Sequence, residues 1–186
     1  METKSLIVDI AIKLFQQKGY NGVGLNEILQ SGKITKGALY HHFPGGKEEL
    51  LIACIETTNA MICEDIGSIF AAFPTTQAAA IALLDKLIVL YETEGTIAFY
   101  TIGSVVSGMD SLHDPVRKAC SRLYADMQEI YSNKLMADGY SRDAASSTAL
   151  MMTASIEGGI MLCLTNRSAD PLRVIKRGVS NLLKEF

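Results

Sequence analysis

The sequence predicts an all-α protein, with a small N-terminal domain of three helices over residues 1–46 and a larger C-terminal helical domain over residues 47–186. About nine helices are expected in all. Two observations predict this fold class: apolar residues recur at helical spacing along nearly the whole chain, and alternating strand patterns are absent. Proline, which interrupts helices, falls only between these periodic stretches, at Pro44, Pro74, Pro115 and Pro171.

The N-terminal domain is predicted to contain one helix of ordinary length followed by two short ones. The first helix runs from about Lys4 to Lys18, and its apolar stripe consists of Ile7, Ile10, Ala11, Leu14 and Phe15. Gly19 stops it. The second helix is ended by Ser31-Gly32, and its apolar residues are Leu25, Ile28 and Leu29. The third begins at Thr35, a favourable N-cap, and reaches about His42.

The C-terminal domain follows the break at Pro44-Gly45-Gly46. Its first helix opens at Lys47-Glu48-Glu49 and reaches about Phe70. Further helices are expected over residues 76–93, 97–107, 115–137, 142–165 and 171–185. Two of them follow Asp-Pro pairs, at Asp114 and Asp170. Because aspartate caps a helix well and proline suits the next position, both aspartates are predicted N-caps.

Composition excludes several classes of protein. Hydrophobic residues make up 48% of the chain and charged residues 20%, as in soluble globular proteins. The longest apolar stretch, Ala78 to Leu84, is far shorter than the roughly 20 residues of a membrane span. The amphipathic residues that follow Met1 predict no signal peptide. No membrane contact and a cytoplasmic location are therefore expected.

No catalytic, metal or cofactor site is expected. The four cysteines lie far apart among apolar neighbours, which favours buried structural thiols over metal ligands: Cys54, Cys63, Cys120 and Cys163. Gly103-Ser104 does not complete a nucleophile elbow, because position 106 is valine. A glycine-rich phosphate loop is absent as well. The sequence therefore predicts a protein that is not an enzyme.

The charge distribution gives weak support for a polyanionic partner. The net charge is −3, but residues 1–50 carry +1 and the remainder −4. This asymmetry alone would not indicate nucleic acid.

Residues 24–43 have the layout of a helix-turn-helix, with two short helices joined by a tight turn that has glycine at its start. The apolar residues of this segment would pack the two helices together, which leaves the outward face of the second helix to Lys36, Gly37, Tyr40, His41 and His42. Such residues can donate hydrogen bonds to phosphate oxygens, and glycine allows a close approach. The alternative is an ordinary surface helix. Chelation by the two histidines is disfavoured, since adjacent helical residues diverge by about 100°.

A series of short motifs runs through this part of the chain: Leu14-Phe15, Gly19-Tyr20, Gly32, Lys36-Gly37-Ala38-Leu39-Tyr40, Phe43 and Lys47-Glu48-Glu49-Leu50. In residues and spacing, the segment from Phe15 to Leu50 resembles the N-terminal signature of the TetR family of repressors. Gly-Leu-Asn-Glu-Ile-Leu-Gln and His-His-Phe-Pro-Gly-Gly-Lys-Glu-Glu-Leu resemble its LmrA/YxaF-like branch, which is associated with multidrug or aromatic-compound resistance genes. A weaker match follows at residues 155–159 and 167–173.

The resemblance implies a repressor whose partners are double-stranded operator DNA and a small-molecule inducer. The implied DNA-contacting residues are Thr35, Lys36, Gly37, Tyr40 and His42, with Lys47 at a phosphate. Asn26 is a further candidate, and His41 faces outward beside them. The recognition helix has no arginine or glutamine, so base contacts fall to Lys36, the Gly37-Ala38 surface and Asn26.

The family's C-terminal helices form a dimer interface and a ligand pocket. Small residues crowd between Asp143 and Gly159, which would allow helices to approach closely. These small residues, together with the apolar residues of the final helix, predict a homodimer formed through the last two helices. The alternative is that the small residues serve packing inside one subunit.

A pocket for a small hydrophobic or aromatic inducer would use aromatic, sulfur-bearing or isolated polar residues on these helices. The candidates are Met61, Phe70, Tyr91, Phe99, Tyr100, His113, Tyr124, Met127, Met152 and Glu157. Each of them could instead be ordinary core. The function expected is thus a repressor, released by its inducer and controlling a drug-efflux or detoxification gene. The alternative is a helical small-molecule-binding protein that does not bind DNA.

Overall fold

The computed structural model describes residues 3–97 and 114–183, and the all-α prediction is confirmed. The described residues form eight helices: α1 (Thr3–Lys18), α2 (Leu25–Gly32), α3 (Lys36–His42), α4 (Gly46–Ala72), α5 (Thr76–Glu94), α6 (Asp114–Ala137), α7 (Arg142–Asn166) and α8 (Asp170–Leu182). Of the predicted helix over 97–107, all but the first residue lies outside the described residues.

The chain divides into two compact units. Of the described residues, 3–60 and 114–123 form the N-terminal unit, and 61–97 and 124–183 form the C-terminal unit. The N-terminal unit therefore includes α1, α2 and α3 together with the starts of α4 and α6. The predicted functional boundary after residue 46 is a separate matter and stays a prediction.

The core of the N-terminal unit is the apolar face of α1 packed against α2 and α3. Residues Ile7, Ala11 and Phe15 of the predicted stripe are buried, while Ile10 and Leu14 are half-buried at its edge. Ile28 of α2 and Leu39 of α3 are fully buried against this face. The helix-turn-helix is thus held by apolar packing, which leaves its polar residues outside.

The turn between α2 and α3 owes its glycine to packing. Gly32 is the last residue of α2, and a Cβ on it would lie 2.7 Å from Cδ1 of Ile10 and would also collide with Ile34. The left-handed backbone (φ 51°) belongs instead to Lys33. Hydrogen bonds from the Lys33 and Ile34 amides to carbonyls of α2, 3.3 and 2.9 Å long, close the turn.

In the C-terminal unit, α8 packs against both α5 and α7. The buried face of α5 supplies the core, mainly through Leu83, Leu84 and Leu87. Between α5 and α8, Lys176 pairs with Asp85 and Arg173 pairs with Glu92. Because the four side chains remain 35–50% exposed, solvent screens both ion pairs, and apolar packing rather than charge provides most of the stability of this contact.

The predicted N-cap at Asp170 is wrong by one residue. The cap position is Ala169, and Asp170 with Pro171 opens the first turn of α8. Ser168 lies just before this cap, and its Oγ accepts the Asp170 amide at 3.1 Å, which gives one of the unpaired amides of the first turn a partner. The Asp170 carboxylate is then available to Nη1 of Arg173, 2.7 Å away, which lowers the pKa of that carboxyl. In α6, Asp114 is likewise already helical.

Among the described residues, one helix, α7, is long and apolar enough to cross a membrane by length and composition alone. One face of it is buried within the unit, including Ala149, Met152 and Ile156, as in a core helix of a soluble protein. Serine, threonine and glycine interrupt its apolar residues, which is why the longest unbroken stretch in the sequence lies elsewhere.

Three of the four cysteines, Cys54, Cys120 and Cys163, are buried free thiols, and Cys63 is half-buried. Burial raises the pKa of all four, which disfavours the reactive thiolate. Within residues 3–97 and 114–183, no group of three or more His, Cys, Asp or Glu side chains is placed to hold a metal ion.

Candidate nucleic-acid interface

Helix α3 presents its polar residues to solvent because its one fully buried side chain, Leu39, faces α1 and α2. Thr35 caps the helix as predicted, with its Oγ1 accepting the Ala38 amide at 3.2 Å. The Thr35 hydroxyl keeps its own proton, which it can donate to a phosphate oxygen. Lys36, Gly37, Tyr40 and His41 are exposed, and we call these four residues the α3 face.

Gly37 lies at the open centre of the α3 face. A Cβ built on it has no heavy atom within 4 Å, apart from its own helix backbone and chain neighbours. Its backbone is ordinary right-handed helix, so neither packing nor conformation inside the unit requires glycine at this position. What glycine provides here is a close approach of the helix backbone to another surface.

Lys36 and Tyr40 lie one turn apart and form one side of the α3 face. The Lys36 Nζ is 5.8 Å from the centroid of the Tyr40 ring, and the Tyr40 side chain is 42% exposed. This contact orders a long, flexible lysine on the surface. The pair thus places an ammonium and a phenol hydroxyl side by side, both able to donate to a polyanion.

His41 and His42 pack edge to face, with ring centroids 5.0 Å apart. His42 is half-buried and also approaches the buried Phe43 ring, 6.5 Å between centroids. His41 remains exposed. Asn26 lies exposed in the first turn of α2, beside Glu27, which pairs with Lys18.

The start of α4 makes several contacts that the sequence did not indicate. Gly46 has φ 69° and donates its amide to Phe43 O at 2.9 Å, while the Gly45 amide donates to Glu49 Oε2 at 2.7 Å. Lys47, the predicted phosphate contact, is half-buried, and its Nζ donates to Tyr20 O at 2.6 Å. The same Nζ lies 4.1 Å from the centroid of the Tyr20 ring. Partial burial lowers the pKa of Lys47.

The predicted pocket residues occupy different environments in the C-terminal unit. Phe70, Met127 and Met152 are buried; Tyr91, Tyr124 and Glu157 are half-buried; and Met61 is 50% exposed. Phe99, Tyr100 and His113 lie outside the described residues.

The structure brings some of these residues together between α4, α6 and α7. Phe70 packs on Tyr131, with ring centroids 5.0 Å apart, and Tyr124 donates its hydroxyl to Glu157 Oε2 at 3.5 Å. Burial raises the pKa of Glu157 to about 7, and the Tyr124 hydrogen bond partly offsets this. The sequence reading missed Tyr131, which is fully buried and whose pKa is raised by burial and then by Glu157. Its spacing from Tyr124 and Met127 on α6 was the available signal.

An exposed apolar stripe runs along the outside of α7. It consists of Leu150, Met151, Ala154, Gly158, Met161 and Leu162, and Val174 of α8 is exposed as well. We call the six α7 residues the α7 stripe. Other small residues of this helix serve the interior instead: Ala145 and Ala149 are buried, and a Cβ on Gly159 would lie 2.9 Å from Cδ2 of Leu172 on α8. The small residues of α7 thus lie on two opposite faces: one serves packing inside the subunit, and the use of the other in a dimer interface stays a prediction.

Comparison with known proteins gives matches over both parts of the chain. Residues 7–54 match the family described as bacterial regulatory proteins, tetR family, and residues 76–178 match the transcriptional regulator LmrA/YxaF-like C-terminal domain. The chain is 32% identical over 183 residues to the HTH-type transcriptional regulator LmrA of Bacillus subtilis (strain 168), covering 98% of this chain and 97% of that protein. It is 29% identical to the uncharacterized HTH-type transcriptional regulator YxaF of the same organism, covering 99% and 96%.

Solved structures show the same fold. Reduced NemR of E. coli matches with a TM-score of 0.85 at 18% identity, over 97% of both chains. A TetR transcriptional regulator from Chloroflexus aurantiacus matches with a TM-score of 0.81 at 21% identity, over 98% of this chain and 94% of the other.

Proposed function

Because the chain belongs to the TetR family of DNA-binding transcriptional regulators, with a C-terminal domain of the LmrA/YxaF-like type, we propose that it is a repressor. It binds an inverted-repeat operator and leaves it when a small hydrophobic or aromatic inducer occupies its C-terminal helices. The family is not enzymatic. The regulated gene serves drug efflux or detoxification, and the protein acts in the bacterial cytoplasm. The α3 face supports the DNA-binding part of this proposal, because its exposed donors surround a glycine that nothing inside the unit requires.

In this proposal α3 enters the major groove. Lys36 and Gly37 lie at base edges, where lysine pairs best with guanine. Phosphates on either side are bound by Thr35, Tyr40, His41, His42 and Lys47, and Asn26 reaches the DNA from α2. The functional division is then residues 1–46 for DNA and residues 47–186 for ligand and dimer, although the compact N-terminal unit continues to residue 60.

A gel-shift assay on DNA flanking the protein's own gene tests the proposal. The retarded complex should survive an excess of random-sequence competitor, because specific sites bind typically 10³–10⁷-fold more tightly than random DNA. A helical small-molecule carrier would give no complex that resists the competitor. That outcome would contradict the repressor and favour the alternative.

Lys36→Ala should reduce the ratio of the affinity for operator DNA to the affinity for random DNA. Removing a base contact weakens the free energy of operator binding by about 1–3 kcal/mol. Binding to random DNA loses only the electrostatic attraction of the lysine to phosphates. Fluorescence anisotropy at fixed salt measures both affinities. Lys13→Ala is a matched control, because Lys13 is an exposed lysine on α1, away from the α3 face. Equal losses on operator and random DNA would contradict a base-reading role for Lys36.

The ligand-binding part of the proposal rests on Glu157, Tyr124 and the aromatic pair Phe70 and Tyr131. Together these side chains offer apolar surface and a carboxyl whose pKa of about 7 lets it change its charge near neutral pH. Such a combination of apolar area with a few polar groups is typical of small-molecule sites. Bound inducer then lowers the affinity for operator DNA, and bound operator lowers the affinity for the inducer by the same factor, typically 5–150-fold.

Glu157 should make stability depend on pH. Its pKa is about 7 in the folded protein against 4.5 ordinarily, so the folded state binds more protons than the unfolded state between these values. The free energy of unfolding should therefore fall as pH rises from about 4.5 to 7, by at most about 3 kcal/mol. Urea unfolding at several pH values should show this slope reduced in Glu157→Gln. Glu129→Gln, an exposed position on α6, is the control. If the free energy of unfolding of Glu157→Gln depended on pH as steeply as that of the wild type, a raised pKa at Glu157 would be contradicted.

A further inference from the structure

The ammonium of Lys47 is held twice by one residue, Tyr20. It donates a hydrogen bond of 2.6 Å to the Tyr20 carbonyl oxygen, and it also lies 4.1 Å from the centroid of the Tyr20 ring. The two residues are 27 positions apart: Tyr20 lies in the turn after α1, and Lys47 lies at the start of α4. A lysine on a surface ordinarily samples many rotamers, whereas these two contacts restrict this one.

Tyr20 is itself fixed in place. Its ring packs on the buried Phe15 ring, with centroids 5.6 Å apart, and its position follows the left-handed Gly19 that ends α1. Its carbonyl also accepts the Val23 amide at 3.4 Å. Burial and the neighbouring Glu48 raise the pKa of the Tyr20 phenol, so it stays neutral at physiological pH. The ring is therefore a rigid, uncharged platform for the ammonium.

The contacts leave Lys47 able to bind an anion. An ammonium has three N–H donors, of which the Tyr20 carbonyl takes one and the ring face needs none. Partial burial has already removed part of the water around the charge, as the lowered pKa of Lys47 reflects. A phosphate oxygen that reached the remaining donors would bind without first having to order the side chain.

We infer that Tyr20 is a positioning residue for DNA binding, which holds the Lys47 ammonium where a backbone phosphate reaches it. The inference rests on the proposed function. Tyr20 does not contact DNA in this account; it acts through Lys47 alone. Its effect must therefore disappear when Lys47 cannot bind a phosphate, which a purely structural role for Tyr20 would not require.

A double-mutant cycle tests the inference in the full-length protein. Tyr20→Leu removes the ring, Lys47→Met removes the ammonium, and Tyr20→Phe keeps the ring and the carbonyl as a matched control. Affinity for operator and for random DNA is measured by anisotropy over a range of salt, and thermal unfolding of each variant measures stability separately.

We expect Lys47→Met to lower the slope of log affinity against log salt by about one. Tyr20→Leu should weaken binding to both DNAs by about 3- to 10-fold in the wild-type background, but not in the Lys47→Met background. Tyr20→Phe should bind like wild type. Equal losses for Tyr20→Leu in both backgrounds would overturn the inference, as would an unchanged salt slope in Lys47→Met. If Lys36→Ala still narrows operator discrimination in that case, the proposed function stands and only the role of Tyr20 fails.

Discussion

Gly37→Val should lower operator affinity by roughly 100-fold or more while leaving the fold intact. The added side chain has free space in the isolated protein, since nothing lies within 4 Å of a Cβ at this position. In the major groove the same atoms would push α3 away from the base edges, with the loss of contacts worth about 1–3 kcal/mol each. Helix propensity favours valine slightly over glycine, so stability should not fall.

Gly32→Val is the contrasting variant, because side chains pack closely around Gly32 whereas the space beside Gly37 is empty. A Cβ on Gly32 would lie 2.7 Å from Cδ1 of Ile10, so this variant should lose about 1–3 kcal/mol of stability. Thermal unfolding with anisotropy on the operator separates the two effects. We expect Gly37→Val to keep the wild-type melting temperature but to bind the operator roughly 100-fold or more weakly, and Gly32→Val to have a lower melting temperature. Operator binding by Gly37→Val at wild-type strength would contradict the placement of α3 in the groove.

Gly158→Leu should weaken a homodimer without destabilising the subunit. We propose that the α7 stripe and α8 form a two-fold interface, in which every substitution occurs twice. Gly158 lies in the middle of the stripe, and a Cβ on it meets nothing within its own subunit. Overpacking such a site costs about 1–3 kcal/mol, so the dimer should dissociate at higher concentration. Light scattering over a dilution series measures this.

The next residue along α7 gives the matched control. A side chain on Gly159 would meet Leu172 and Ile175 of α8, so Gly159→Leu should lower the melting temperature of the subunit itself. Wild-type protein that is monomeric at micromolar concentration would contradict the interface. So would a Gly158→Leu variant that dimerises as tightly as wild type.

Local signals were enough to predict the fold from the sequence. Helical periodicity identified every helix that the structure describes, and Thr35 caps α3 as expected. The prediction failed at Asp170, which lies one residue inside α8. Ala169 occupies the N-cap position instead, and Ser168 Oγ accepts the Asp170 amide.

The site could be predicted only in part, because its geometry depends on tertiary contacts. The exposed residues of α3 follow from periodicity, so Lys36, Gly37 and Tyr40 were identified from the sequence, although their contacts with DNA stay predictions. The contact of Lys47 with Tyr20 joins residues that are 27 positions apart in the chain, and no local sequence pattern indicates it. Similarly, the sequence cannot tell Gly158 from Gly159, since the face of α7 that meets α8 is known only from the folded chain.

Hydroxyl-radical footprinting of the protein on DNA upstream of its own gene tests the central claim most directly. A two-fold dimer with one α3 in each of two major grooves should protect two inverted half-sites on one face of the duplex, with their centres about one helical turn, roughly 34–36 Å, apart or a multiple of it. Addition of an inducer should abolish both protected regions together. Uniform protection without a pair of symmetric half-sites, or no protection at all, would contradict the account.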